Sequence, residues 1–227
     1  MPIQQSGITK RIPSLSFFFL GGLDTIQRSG IFNDSKTYVD HPLRFDPRTV
    51  LTDFDNLPDH SQNTLSDFLS RNFALPGSDL INWTPADHHE NPSILDHIQD
   101  PAYQAWARDL NDLWLQLGKQ VTAEVYKFPD RHTLIGPKQP YMIVPGGRFT
   151  EFYYWDTYWV VRGLLLCDMV DTARLVVNNL LDFVERYGFM PNGSRRYYLN
   201  RSQPPFLTLM VDAVFQVTND QDWLRTF

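Results

Sequence analysis

Cysteine is almost missing from this chain. Its 227 residues include one, Cys167, so no internal disulfide can form, and neither a thiolate zinc cluster nor a CxxC redox pair is possible. A basic excess is missing as well. Lys and Arg total 20 against 26 Asp and Glu, and a formal net charge of −6 argues against nucleic acid, whose phosphates need a basic footprint. No stretch is long and apolar enough to span a bilayer. The histidines show no metal-ligand spacing, so no metal is expected. Apolar and aromatic residues, in contrast, are abundant at 42% and 14%, enough for one well-packed domain or two small ones. Cys167 follows the apolar run of residues 163–166 and is expected as a buried thiol.

Punctuation along the chain predicts short helices and then longer ones. Asp46-Pro47 reads as an N-cap with proline at the first helical position, opening a helix through Leu51 and Phe54. Residues 61–72 carry Leu65, Phe68 and Leu69 at helical spacing, and the proline-dotted stretch 75–101 reads as ordered loop. Asp100-Pro101 repeats the start signal and opens the clearest helix, to about Gly118. Its apolar face is Ala102, Trp106, Leu110, Leu113, Trp114 and Leu117, with both tryptophans assigned to the core. Residues 128–149 read as extended segments and turns. Helices then follow from Trp155 to about Met169, from Asp171 to Tyr187 with Gly188 as the stop, and from Pro205 to about Val217. A fourth starts at Asn219-Asp220 and is expected to run uncapped to the last residue. Helix and loop alternate in units of roughly 45–50 residues, a succession of antiparallel helix pairs. The class is therefore all-α, with short extended segments in the loops.

One run concentrates chemistry. Residues 145–158 read PGGRFTEFYYWDTY. Two glycines let the backbone take positive φ or approach a ligand closely. Arg148 offers a planar fork of donors, Glu151 and Asp156 accept hydrogen bonds or move protons, and the aromatics offer flat faces with polar tips. These are the parts of a sugar pocket. The ordinary alternative is a packed loop-to-helix junction in which Arg148 and Glu151 pair.

The run matches PGGRFxExYxWDxY, the first signature of the trehalases, at every fixed position, and the chain resembles that family over residues 29–227. The resemblance is strongest at 145–158 and 191–205, and residues 83–87 (WTPAD) are similar to animal members. Residues 29–37 look like the start of the animal mature domain. Residues 1–28 do not; Lys10 and Arg11 ahead of the apolar stretch 15–23 loosely follow a secretory leader, with Pro13 interrupting it. The expected organisation is an atypical segment, 1–28, and the N-terminal portion of a trehalase catalytic domain, 29–227.

The resemblance implies an incomplete (α/α)6 toroid and inverting hydrolysis of α,α-trehalose to two glucose molecules without a cofactor. It suggests a secreted or cell-surface location. It also implies that the catalytic acid and base lie in an SGWD-type segment and near a second signature, QWDxPxGWxP, neither of which occurs here. No catalytic residue is thus expected among these 227, and the chain reads as a truncated form with little activity of its own. A non-catalytic isoform or sugar-binding fragment is the competing reading, and a helical-toroid glycosidase of other specificity is a third. By motif position Arg148, Trp155, Asp156, Asn192, Arg201, Ser202 and Gln203 match family residues that contact trehalose, with Phe149 and Tyr153 as further lining. Read without the resemblance, Asn192-Gly193 is a turn signal and Arg201 a binder of helix carbonyls. Asn33, Asn82, Asn192 and Asn200 each begin an Asn-x-Ser/Thr sequon, and the first two suit a glycan better. The sequence Asp87-His88-His89-Glu90 reads as a solvated loop. Helix faces left without their partners would make the isolated chain poorly soluble.

Overall fold

A computed structural model describes residues 22–226. The basic pair and most of the leader-like stretch, as well as Phe227, lie outside the described residues. In chain order the α-helices are α1 (Gly22–Arg28), α2 (Ser35–Val39), α3 (Pro47–Asp55), α4 (Gln62–Asn72), α5 (Pro101–Leu117), α6 (Ala123–Lys127), α7 (Asp156–Leu166), α8 (Val170–Tyr187), α9 (Leu207–Thr218) and α10 (Gln221–Leu224). The strands are β1 (Leu80–Asn82), β2 (Gly118–Val121) and β3 (Tyr141–Ile143). The helical class expected from the sequence is what these residues show. They fall into two compact units.

The first unit runs to Asp79 and includes Ala123–Leu134. Asp46 caps α3 by accepting from the Arg48 N–H with Pro47 in the first turn, and Ser61 caps α4 through the Thr64 N–H. Both starts satisfy backbone donors that a helix leaves unpaired. The apolar faces of α1 to α4 close on a core of Ile26, Tyr38, Val50, Phe54, Leu65, Phe68 and Phe73. Phe68 sits edge-on to Phe54 and Phe73, with ring centroids 5.4 and 6.0 Å away. Its truncation to alanine would remove about 3–5 kcal/mol of stability.

The second unit contains Leu80–Thr122 and Ile135–Phe227. Its sheet is antiparallel in the order β1-β2-β3, with Leu80 opposite Val121 and Gly118 opposite Ile143. Helices α7 and α8 are joined by the short turn 167–169, and α9 packs on both. Asn179, buried on α8, donates to the Gln139 and Tyr141 carbonyls and accepts from the Gln139 N–H, which pins the approach to the 145–158 run. The first turn of α8 is capped from a distant loop: Asp87 accepts from the Thr172 N–H and hydroxyl.

Several sequence expectations are corrected. The apolar stripe of α5 is not core: Trp106 is 60% exposed and Leu110 and Leu113 are exposed, while Asn111 is the buried residue. Periodicity locates a stripe but does not say what covers it. Trp114, half-buried, points its indole N–H at the Cys167 sulfur at 3.4 Å. Cys167 is only half-buried, since α7 ends at Leu166 and places the thiol at the C-cap. The last helix stops at Leu224 with Arg225 as its C-cap, short of the chain end. The 75–101 loop holds β1 and a 3₁₀ turn, Ser93–His97. The His88 ring is mostly buried against α5, where Asn111 lies 3.2 Å away, so that loop is not simply solvated. Asn33 and Asn82 are exposed, and Asn192 is half-buried.

Candidate functional site

The run 145–158 begins as a tight turn. Gly146 and Phe149 form an antiparallel bridge, and Gly147 takes φ +60° at the first of the two loop positions. That left-handed value suits glycine, and the turn carries Arg148 out to its exposed tip. The chain then dives inward. Glu151, Phe152, Tyr153 and Tyr154 are all buried before α7 starts at Asp156.

Loop 190–203 is stitched to this segment by backbone. Tyr153 bridges Gly193, the Ser194 N–H donates to the Phe152 carbonyl, and the Tyr154 N–H donates to the Asn192 carbonyl. Glycine is required at 193 by crowding: a Cβ there would stand 2.8 Å from the Phe152 carbonyl oxygen. Within the loop, the Asn192 N–H donates to the Arg201 carbonyl at 2.9 Å. The Gln203 side-chain oxygen accepts from the Trp155 N–H at 3.1 Å, and the Ser202 hydroxyl donates to the Met190 carbonyl at 2.6 Å. Trp155, Asn192, Arg201 and Gln203 are thereby brought into one connected structure, with Asp156 directly after Trp155. Arg148 joins it through rings. Its guanidinium lies 5.4 Å from the Phe149 ring, Phe149 packs on Tyr153, Tyr153 on Tyr198, and the Arg201 guanidinium lies 4.8 Å over Tyr198.

Beneath this surface lies a fully buried ion pair. Arg195 donates to Glu151 at 3.1 Å, both at 0% exposure, and Tyr153 donates its hydroxyl proton to the other Glu151 oxygen. Burial, and then the Glu151 charge, raises the Tyr153 phenol well above its ordinary range. The Glu151 carboxylate therefore faces Arg195 and Tyr153 rather than solvent. Tyr153, expected as lining, is an interior support.

The exposed groups supply both halves of a hydroxyl-binding inventory. The Asp156 carboxylate, half-exposed in the first turn of α7, has no hydrogen-bond partner among the described residues. The Asn192 carboxamide also has none. Arg201 donates through Nη1 to the Tyr197 carbonyl and Asn200, which bears out its reading as a carbonyl binder and leaves Nε and Nη2 available. Gln203 keeps its amide N–H groups, since Trp155 takes only its oxygen. Beside them an aromatic cluster extends beyond the motif: Trp159, 52% exposed, lies edge-on to Trp155 at 5.2 Å, and Phe206 stacks on Tyr158. Sequence reading missed Trp159, Tyr198, Phe206 and Arg195. Helical spacing from Trp155 could have pointed to Trp159; nothing local marks Arg195 in the polar run Gly193-Ser194-Arg195-Arg196. Among the described residues no group of three or more His, Cys, Asp or Glu side chains is placed to hold a metal ion.

A family model described as Trehalase matches residues 30–227. The chain belongs to the trehalase family. Among curated trehalases, that of Tenebrio molitor is 46% identical over 207 residues, which is 89% of this chain and 37% of its own length. The Homo sapiens trehalase is 45% identical over 208 residues, 89% of this chain and 36% of its own. The chain thus spans just over a third of the length of these trehalases. Among solved structures, the neutral trehalase Nth1 from Saccharomyces cerevisiae is 43% identical over 37% of this chain and 16% of its own, with a TM-score of 0.34, a match too partial to bear on the fold.

Proposed function

We propose that this chain forms one wall of the trehalose pocket of an inverting α,α-trehalase, and that the residues which move protons are not among its own. Arg148, Trp155, Asp156, Asn192, Arg201, Ser202 and Gln203 are the substrate contacts. The observation that carries this reading is the stitching of the 148–156 segment to loop 190–203, which leaves the Asp156 carboxylate and the Asn192 amide without a partner among the described residues, beside an exposed Trp155. Asp156 accepts from sugar hydroxyls, Arg148 and Arg201 donate, Asn192 and Gln203 complete the polar contacts, and Trp155 faces the apolar side of the ring. The Ser202 hydroxyl gives its proton to the Met190 carbonyl and so meets the sugar as an acceptor.

Inversion needs an acid and a base about 6.5–9.5 Å apart across the scissile bond. Glu151 is poorly suited to either role because it is buried in an ion pair with Arg195. The SGWD-type and QWDxPxGWxP segments are absent from the sequence. Calorimetric titration of the 227-residue chain with trehalose, maltose and glucose, alongside a glucose-release assay, tests both halves. Saturable binding that prefers trehalose, without glucose release, is expected. Turnover that is lost in Asp156→Ala would overturn the second half, and a preference for maltose would overturn the specificity.

A further inference from the structure

We infer that Arg195 is a positioning residue that sets Arg201 through a relay of buried and half-buried side chains. The residues form one unbroken series. Arg195 donates to Glu151 at 3.1 Å. Glu151 accepts the Tyr153 hydroxyl proton. The Tyr153 and Tyr198 oxygens are 2.8 Å apart. Because the Tyr153 proton is committed to a carboxylate, Tyr198 must donate in that contact, and its hydroxyl direction is thereby determined. The Tyr198 ring meets Tyr153 at a 5.5 Å centroid distance, and the Arg201 guanidinium rests 4.8 Å over it. Arg201 alone in this series is exposed.

The chemistry gives the relay its direction. A carboxylate with no exposed surface stays ionised only with a cation and donors around it. Arg195 supplies the cation with a rigid fork, and it reaches a second anchor, the Thr150 hydroxyl at 3.4 Å. Glu151 then orients two phenols in sequence. The outcome is a fixed aromatic face for a flexible cation, which lowers the rotamer freedom that Arg201 must lose on binding a ligand. The inference rests on the reading of Arg201 as a sugar contact only for its consequence. The relay itself is a statement about Arg201 geometry.

The test reads Arg201 directly. In the 15N-labelled 227-residue chain, the Arg201 side-chain signals, assigned with Arg201→Ala, are shifted by the Tyr198 ring. Tyr153→Phe removes one hydroxyl with little change of shape, and in it these signals should move toward those of an unstacked arginine while circular dichroism and the thermal melt remain cooperative. Glu151→Gln should do the same. Arg195→Lys should fall between them and the unsubstituted chain, because a lysine keeps the charge but loses the fork. Unmoved Arg201 signals in a folded Tyr153→Phe chain would overturn the relay. Trehalose affinity supplies a second arm: Tyr153→Phe should weaken it severalfold in the unsubstituted background and leave it nearly unchanged in Arg201→Ala. Equal losses in both backgrounds would mean that Tyr153 acts independently of Arg201. If the unsubstituted chain fails to bind trehalose, the proposed function falls, and the Arg201 signals still decide the relay.

Discussion

Asp156 and Glu151 stand five residues apart in one run and have opposite environments. Asp156 opens α7 half-exposed and unpartnered among the described residues; Glu151 is enclosed with Arg195. Substituting Asp156 should therefore separate binding from folding. A hydrogen bond to a charged group contributes about 1.5–3 kcal/mol, so Asp156→Asn should weaken trehalose binding by roughly tenfold or more. The urea midpoint should hardly move, and a large fall would show that the carboxylate is structural. Two further carboxylates tie stability to pH. The Ser93 backbone N–H and then the Ser93 hydroxyl hold Asp168 below its ordinary value, and the Trp223 N–H lowers Asp220. A group whose folded value is lowered stabilises above its unfolded value and loses that contribution as pH falls through the folded one. Denaturation midpoints should thus be flat above the usual aspartate range and decline below it, and Ser93→Ala should flatten the decline. A loss that begins near neutrality would contradict this assignment.

At the scale of elements, starts and stops were legible wherever they are local. Asp46, Asp100 and Asp220 cap as their positions suggest, and Gly188 ends α8. The start of α8 had no such signal. Met169 precedes it without a capping side chain, and the cap arrives from Asp87, 85 residues away. Asp87→Ala should cost about 1 kcal/mol, the range of an ordinary N-cap, measured by urea denaturation. The expected outcome matches Asp100→Ala at α5; no change would show that solvent replaces Asp87. The apolar stripe of α5 was read correctly as a stripe and wrongly as core, because periodicity reports which residues share a face and nothing about its neighbour.

At the scale of the whole molecule, that stripe has a consequence. Tyr103 and Trp106 are 65% and 60% exposed, with Leu110 and Leu113 beside them on α5. An apolar strip of this kind favours association in water. Sedimentation velocity should show a sedimentation coefficient that rises with concentration, and Trp106→Glu should reduce the rise without lowering the helix signal. A monomer at all concentrations would show that the strip is tolerated.

What amino-acid order established is everything that acts within a turn or a motif: the caps, the helical spacing, the 145–158 signature and the turn at its start. Helix chemistry works over three or four residues, and a string of that length is visible in one dimension. What folding alone decided is which distant groups meet. Arg195 and Glu151 are separated by 44 residues, and Gln203 and Trp155 by 48. Neither pairing is implied by spacing, since a buried charge selects its partner by proximity in three dimensions and by the exclusion of water. The same holds for exposure. Trp106 and Phe68 are alike in local pattern, and only the packing of other elements buries one and leaves the other in solvent.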